Sequence, residues 1–169
     1  MHQLFAIYIG GAHEKSLIEL HDMRFVIADS IENTYDSLRK SWWGIPKSLH
    51  LDAWGMLKQA DGYNIQVKDH PPVATEHRLY FVNLGGYDDT LFTELHRNVF
   101  VVAKNRDEAK ARAKQLIMDW QSPHQDYQYE AENIIDVDET MSSEHHYLHL
   151  TPSKDIIPFE FTCLYTPIG

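Results

Sequence analysis

The sequence predicts an α+β fold built as a tandem duplication of a β-β-α-β(β) unit, with helices packed on mainly antiparallel sheet and extra strands after the second copy. Three observations lead there. The segment 4–43 aligns without gaps onto 79–118 at a constant offset of 75, and nine of the forty pairs are identical, where ordinary composition gives about two or three. Eight of the nine form one pattern present in each half: Gly-Gly, seven residues, Glu-Leu-His, three residues, Phe-Val-x-Ala. Finally, residues 141–169 have no counterpart in the first half, and they alternate and are rich in aromatic and β-branched side chains, as added strand would be. The division expected is a first unit over 1–69, a linker over 70–77, a second unit over 78–140 and a C-terminal extension of the second unit over 141–169.

Each unit opens with an apolar run, Leu4 to Ile9 or Leu79 to Leu84, whose bulky side chains suit a buried strand. Gly10-Gly11 and Gly85-Gly86 follow and read as tight turns. A second strand spans Met23 to Ala28 and Asn98 to Ala103. In the second unit Asn105 with Glu108 makes a capping box, and Ser30 takes the N-cap place in the first. Ile31, Tyr35, Leu38 and Trp42 form the inward stripe of the first helix; Ala109, Ala113, Leu116, Ile117 and Trp120 form that of the second. Asp61-Gly62 marks a two-residue hairpin. Pro71-Pro72 interrupts the chain between units, where missing amide donors favour extended linker.

The Gly-Gly-x7-Glu-Leu-His-x3-Phe-Val-x-Ala pattern, with His50-Leu51-Asp52 and Asp61-Gly62-Tyr63 downstream, resembles the Domain of Unknown Function 1543 family. That small bacterial family carries its domain in one or two copies, and the resemblance implies a two-copy member. It implies no activity.

Composition narrows the functional classes. A net charge of −10 over 169 residues opposes nucleic-acid binding, which draws on Lys and Arg, and docking on anionic membranes. The single cysteine, Cys163, excludes an internal disulfide and fits a reducing, cytoplasmic setting; in an apolar stretch it reads as a small buried hydrophobe. No secretory leader is expected from the first residues. A homo-oligomer formed through the tail's strand edge is compatible with the pattern, as is a protein or small-molecule partner.

The polar residues that recur are the candidate site. Glu19 with His21, and Glu94 with His96, share a face if their segment is extended, and a carboxylate and imidazole so placed suit a divalent metal or an acid/base pair. His50 with Asp52, and His124 with Asp126, follow the helices in sequence that reads as loop; a carboxylate beside a ligand histidine is a common supporting arrangement. The simpler reading gives each Glu–His pair a local hydrogen bond, with no cofactor and no metal, because both copies keep both residues. Two functions therefore stand: a non-enzymatic module binding a protein or small ligand, or a metal-dependent, hydrolase-like enzyme with its site between the two Glu-Leu-His segments.

Overall fold

The computed structural model describes residues 2–73, 76–115, 122–123, 134–141 and 145–169. Its first strands are β1 (Gln3–Gly11) and β2 (Leu20–Ala28), followed by a 3-10 turn (Glu32–Thr34) and α1 (Tyr35–Ser41). A second 3-10 turn (Pro46–Ser48) leads to β3 (His50–Met56), β4 (Gln59–Ala60) and β5 (Tyr63–Lys68). The later half carries β6 (Arg78–Tyr87), β7 (Glu94–Ala103), α2 (Arg106–Lys114), β8 (Ser122–Pro123), β9 (Ile134–Asp136), α3 (Val137–Thr140), β10 (Tyr147–Pro152) and β11 (Phe161–Pro167). Every strand pair is antiparallel, so the α+β class holds. Among the described residues no helix is long and apolar enough to cross a membrane.

The two long hairpins share one register. Gln3 faces Ala28 and Gly10 faces His21 in β1–β2; Arg78 faces Ala103 and Gly85 faces His96 in β6–β7, each residue 75 further on. Strand alternation then sorts the side chains into layers. Leu4, Ala6 and Phe25 of the sheet ordered β11-β3-β1-β2 meet Leu79, Phe81 and Val102 of the sheet that holds β7 and β6, and Ala60, Ile65 and Leu148 of a third sheet, β10-β5-β4, join the same core. Phe5, Ile7 and Ile9 face the other way onto Ile31, Leu38 and Trp42 of the α1 segment, and Tyr80, Val82 and Leu84 face Ala109 and Ala113 of α2. Each long hairpin thus carries a helix on one face and the common core on the other. Leu116, Ile117 and Trp120 lie outside the described residues.

Local signals account for most of the elements. The Asn105 side chain accepts from the Glu108 amide at 2.9 Å, while Glu108 accepts from the Lys104 amide at 2.9 Å, a capping box shifted by one donor. Ser30 does not cap its helix. The first helix enters through the 3-10 turn with no side-chain cap. Asp61 and Gly62 have φ of 49° and 78°, the paired positive values of a type I′ hairpin turn.

The tail departs from expectation. It extends the first unit and not the second: β10 pairs with β5 and β11 with β3, because those first-unit strands offer unpaired edges that need covering. Leu148 is buried there, but Cys163 is exposed, since β11 is the outer strand of its sheet. Cys163 is therefore no part of the core.

One buried charge gives a pH-dependent test. Asp136 is 2% exposed and pairs with Arg78 at 2.8 Å. Burial raises its carboxyl above the ordinary 3.8, with Arg78 opposing. A raised value means the folded state holds the proton more tightly than the unfolded chain. Its contribution is fully present below about pH 4 and is lost as pH rises through the raised value. Unfolding titrations from pH 3 to 7 should show the stability of Asp136→Asn rising with pH more steeply than that of wild type, because the opposing contribution of Asp136 is gone; parallel limbs would contradict this.

Candidate functional site

Gly10 is the geometric centre. In β1 its Cα pairs with His21 of β2 on one side and with His50 of β3 on the other. Residues paired across strands point to the same face, so both imidazoles rise beside a residue that has no side chain. A Cβ at Gly10 would lie 2.7 Å from His50 Nε2, 2.8 Å from Asp52 Oδ2 and 2.9 Å from His21 Cδ2. Gly11, on the opposite face, clears room for Trp42, whose Cζ2 would meet a Cβ at 2.7 Å. The Gly-Gly pair is thus strand, not a turn; Gly62 is the one glycine with positive φ among the described residues.

Asp52 arrives by a bulge. Ile9 faces Leu51 and Tyr8 faces Ala53, leaving Asp52 as the extra residue of β3, and such insertions re-aim side chains. His50 and Asp52 are therefore strand residues, and the expectation of a loop is corrected. Glu19, immediately before β2, completes the group. His50 Nε2 stands 3.2 Å from Glu19 Oε1 and 3.4 Å from Asp52 Oδ1. His21 Nε2 stands 3.3 Å from Asp52 Oδ2 and 3.7 Å from Glu19 Oε2.

These contacts are not satisfied hydrogen bonds. His50 is 1% exposed, and its Nε2 and Asp52 Oδ2 are buried without a hydrogen-bond partner. The other ring nitrogen, Nδ1, lies 2.8 Å from the Ser48 carbonyl. A carbonyl only accepts, so Nδ1 donates to it, and this bond holds the ring with Nε2 turned toward two carboxylates. Ser48 is held in turn: its hydroxyl accepts from the Ala12 amide and donates to the Ile45 carbonyl. Leaving buried polar atoms such as His50 Nε2 and Asp52 Oδ2 without a hydrogen-bond partner costs about 1–3 kcal/mol each.

Glu19, His21 and His50 each offer a ligand atom within 4.8 Å of the others. Zinc ligands at about 2.0–2.1 Å in tetrahedral array lie about 3.3 Å apart, so donors separated by 3.2–3.7 Å need only small adjustment. Tyr8 stacks flat on His21, with ring centroids 5.3 Å apart at an interplanar angle of 1°. Burial, and then the Asp52 and Asp22 carboxylates, push its phenol above the usual value; it remains a neutral donor.

In the second unit His96 Nε2 is 3.7 Å from Glu94 Oε2, the same separation as His21 and Glu19. In neither unit is this the local hydrogen bond expected. His124 and Asp126 lie outside the described residues. Nor is the described cluster the one imagined between the Glu-Leu-His segments: its donors all come from the first unit. Sequence reasoning found the four residues but missed Gly10 and Tyr8. The signal for Gly10 was its place in the recurring pattern.

The family model for Domain of Unknown Function (DUF1543) matches residues 16–67, a span that includes all four side chains. A crystal structure of protein Il1583 from Idiomarina loihiensis is similar over 100% of this chain and 99% of that one, at 33% identity and a TM-score of 0.75. This chain belongs to the DUF1543 family. No curated protein matches it, and the DUF1543 comparisons name no activity.

Proposed function

We propose that this DUF1543 chain binds one divalent transition-metal ion among Glu19, His21, His50 and Asp52, in a centre of the open, catalytic kind. The observation that carries the reading is His50: buried, with its Nδ1 tied to a backbone carbonyl and its unpartnered Nε2 facing two carboxylates. A ligand imidazole is commonly oriented by such a bond. Two imidazoles with carboxylates suit zinc, iron or manganese better than calcium or magnesium, which prefer all-oxygen shells. Structural zinc sites are closed and usually rich in cysteine. Here Glu19 and His21 remain partly open to solvent, with side chains 47% and 36% exposed.

Protein purified without an affinity tag and dialysed should retain about one such ion per chain by elemental analysis. A content below about a tenth of that, after incubation with zinc, iron or manganese, would refute the proposal. Gly10→Ala provides an independent check. Its methyl would fill the space where the ligand atoms converge, so metal affinity should fall at least about tenfold while circular dichroism stays that of wild type. Unchanged affinity would mean that the clearing above Gly10 serves packing alone.

A further inference from the structure

Beside the ion site lies a cavity of about 550 Å³, within the range of small-molecule pockets. Its floor continues the face of β1 that carries the cluster. Ala6 and Tyr8 line it, and Gly10 is the next residue on that face, about 7 Å beyond Tyr8. The Tyr8 ring therefore stands between cavity and cluster, stacked on His21. Phe100, Phe159 and Phe161 build a wall, with successive ring centroids 5.6 and 5.7 Å apart.

The polar residues that line the cavity are engaged elsewhere. Gln59 donates to Asn64 and to the Asp155 carbonyl, and its oxygen accepts from the Ile157 amide. Asp61 accepts from the Val102 amide and from Arg112. The Asn98 side-chain oxygen accepts from Asn83. The cavity thus offers aromatic and aliphatic contact with few spare polar atoms, while a metal-type cluster sits at one end.

We infer that the cavity takes a small aromatic carboxylate, its ring body against Phe100, Phe159 and Phe161 and its carboxylate reaching past Tyr8 to the Glu19–His21–His50–Asp52 centre. This rests on the metal-binding reading above. Aromatic rings prefer offset or edge contacts such as this wall provides, and a carboxylate oxygen is a suitable donor to a divalent ion with an open position.

The probe is 2-naphthoate, titrated by calorimetry into zinc-loaded wild type, chelator-stripped wild type and zinc-loaded Asn98→Trp. Asn98 lines the cavity from β7, in the sheet that contributes none of the four ligands, and is exposed, so zinc uptake by the variant certifies its fold. Naphthoate should bind loaded wild type and weaken by at least about tenfold in each of the other two samples. Equal affinity with and without zinc would overturn the placement of the carboxylate. Equal affinity in wild type and variant, or none in either while both hold zinc, would overturn the cavity assignment and leave the metal site standing. If neither protein takes up zinc, the metal reading fails and this inference fails with it.

Discussion

His50→Ala should weaken divalent metal binding by at least about 100-fold, measured by competition with a chromophoric chelator. Disturbing a ligand's supporting contacts alone costs about 10–100-fold, and this substitution removes the ligand itself. His50 Nε2 is the most firmly placed ligand atom of the group, because the Ser48 carbonyl holds the ring from behind and the residue is 1% exposed. A buried imidazole also contributes packing, so the comparison needs Glu19→Gln beside it. Glu19 is 47% exposed at its side chain and the amide preserves its shape, so this variant should lose affinity with little change in unfolding midpoint. Wild-type affinity in both variants would leave the cluster as a packing arrangement.

Phe81→Ala should cost about 3–5 kcal/mol in unfolding free energy. Phe81 is 3% exposed and lies in the layer shared by the two sheets, with its ring 5.6 Å from Phe25 and 5.9 Å from Phe100. Its counterpart at the offset of 75 is Ala6, so one large side chain from the second hairpin fills the space that the small residue of the first leaves open. Truncation would leave a void that neither sheet can close alone. A loss under about 1 kcal/mol by denaturant titration would mean that the sheets do not rely on this contact.

Much of this fold is legible in the residues because it rests on local rules. The offset of 75 that aligns the two halves also relates the registers of the two hairpins. Asn105 with Glu108, and Asp61 with Gly62, announced a helix start and a hairpin through hydrogen-bonding capacity and tolerance of positive φ. The tail was misassigned because which strand edge it covers is a long-range matter: Leu148 finds Val67, 81 residues earlier. The site was half legible. Alternation placed Glu19 with His21, and the sequence itself sets His50 two residues from Asp52, but nothing local joins the two pairs. They meet because β1 lies between β2 and β3 with glycine at the crossing row, and because a bulge turns Asp52 inward. Local rules make Gly10 a turn residue, the commoner use of glycine, whereas its missing Cβ is the feature that matters.

The central claim, an ion held over Gly10, is tested most directly by anomalous diffraction at the zinc edge from crystals grown with one equivalent of zinc. The expected result is one strong peak about 2.0–2.2 Å from His21 Nε2, His50 Nε2 and a Glu19 oxygen, with Asp52 as fourth ligand or in contact with one. An empty cluster, with zinc held only at surface histidines such as His145 and His149, would contradict it.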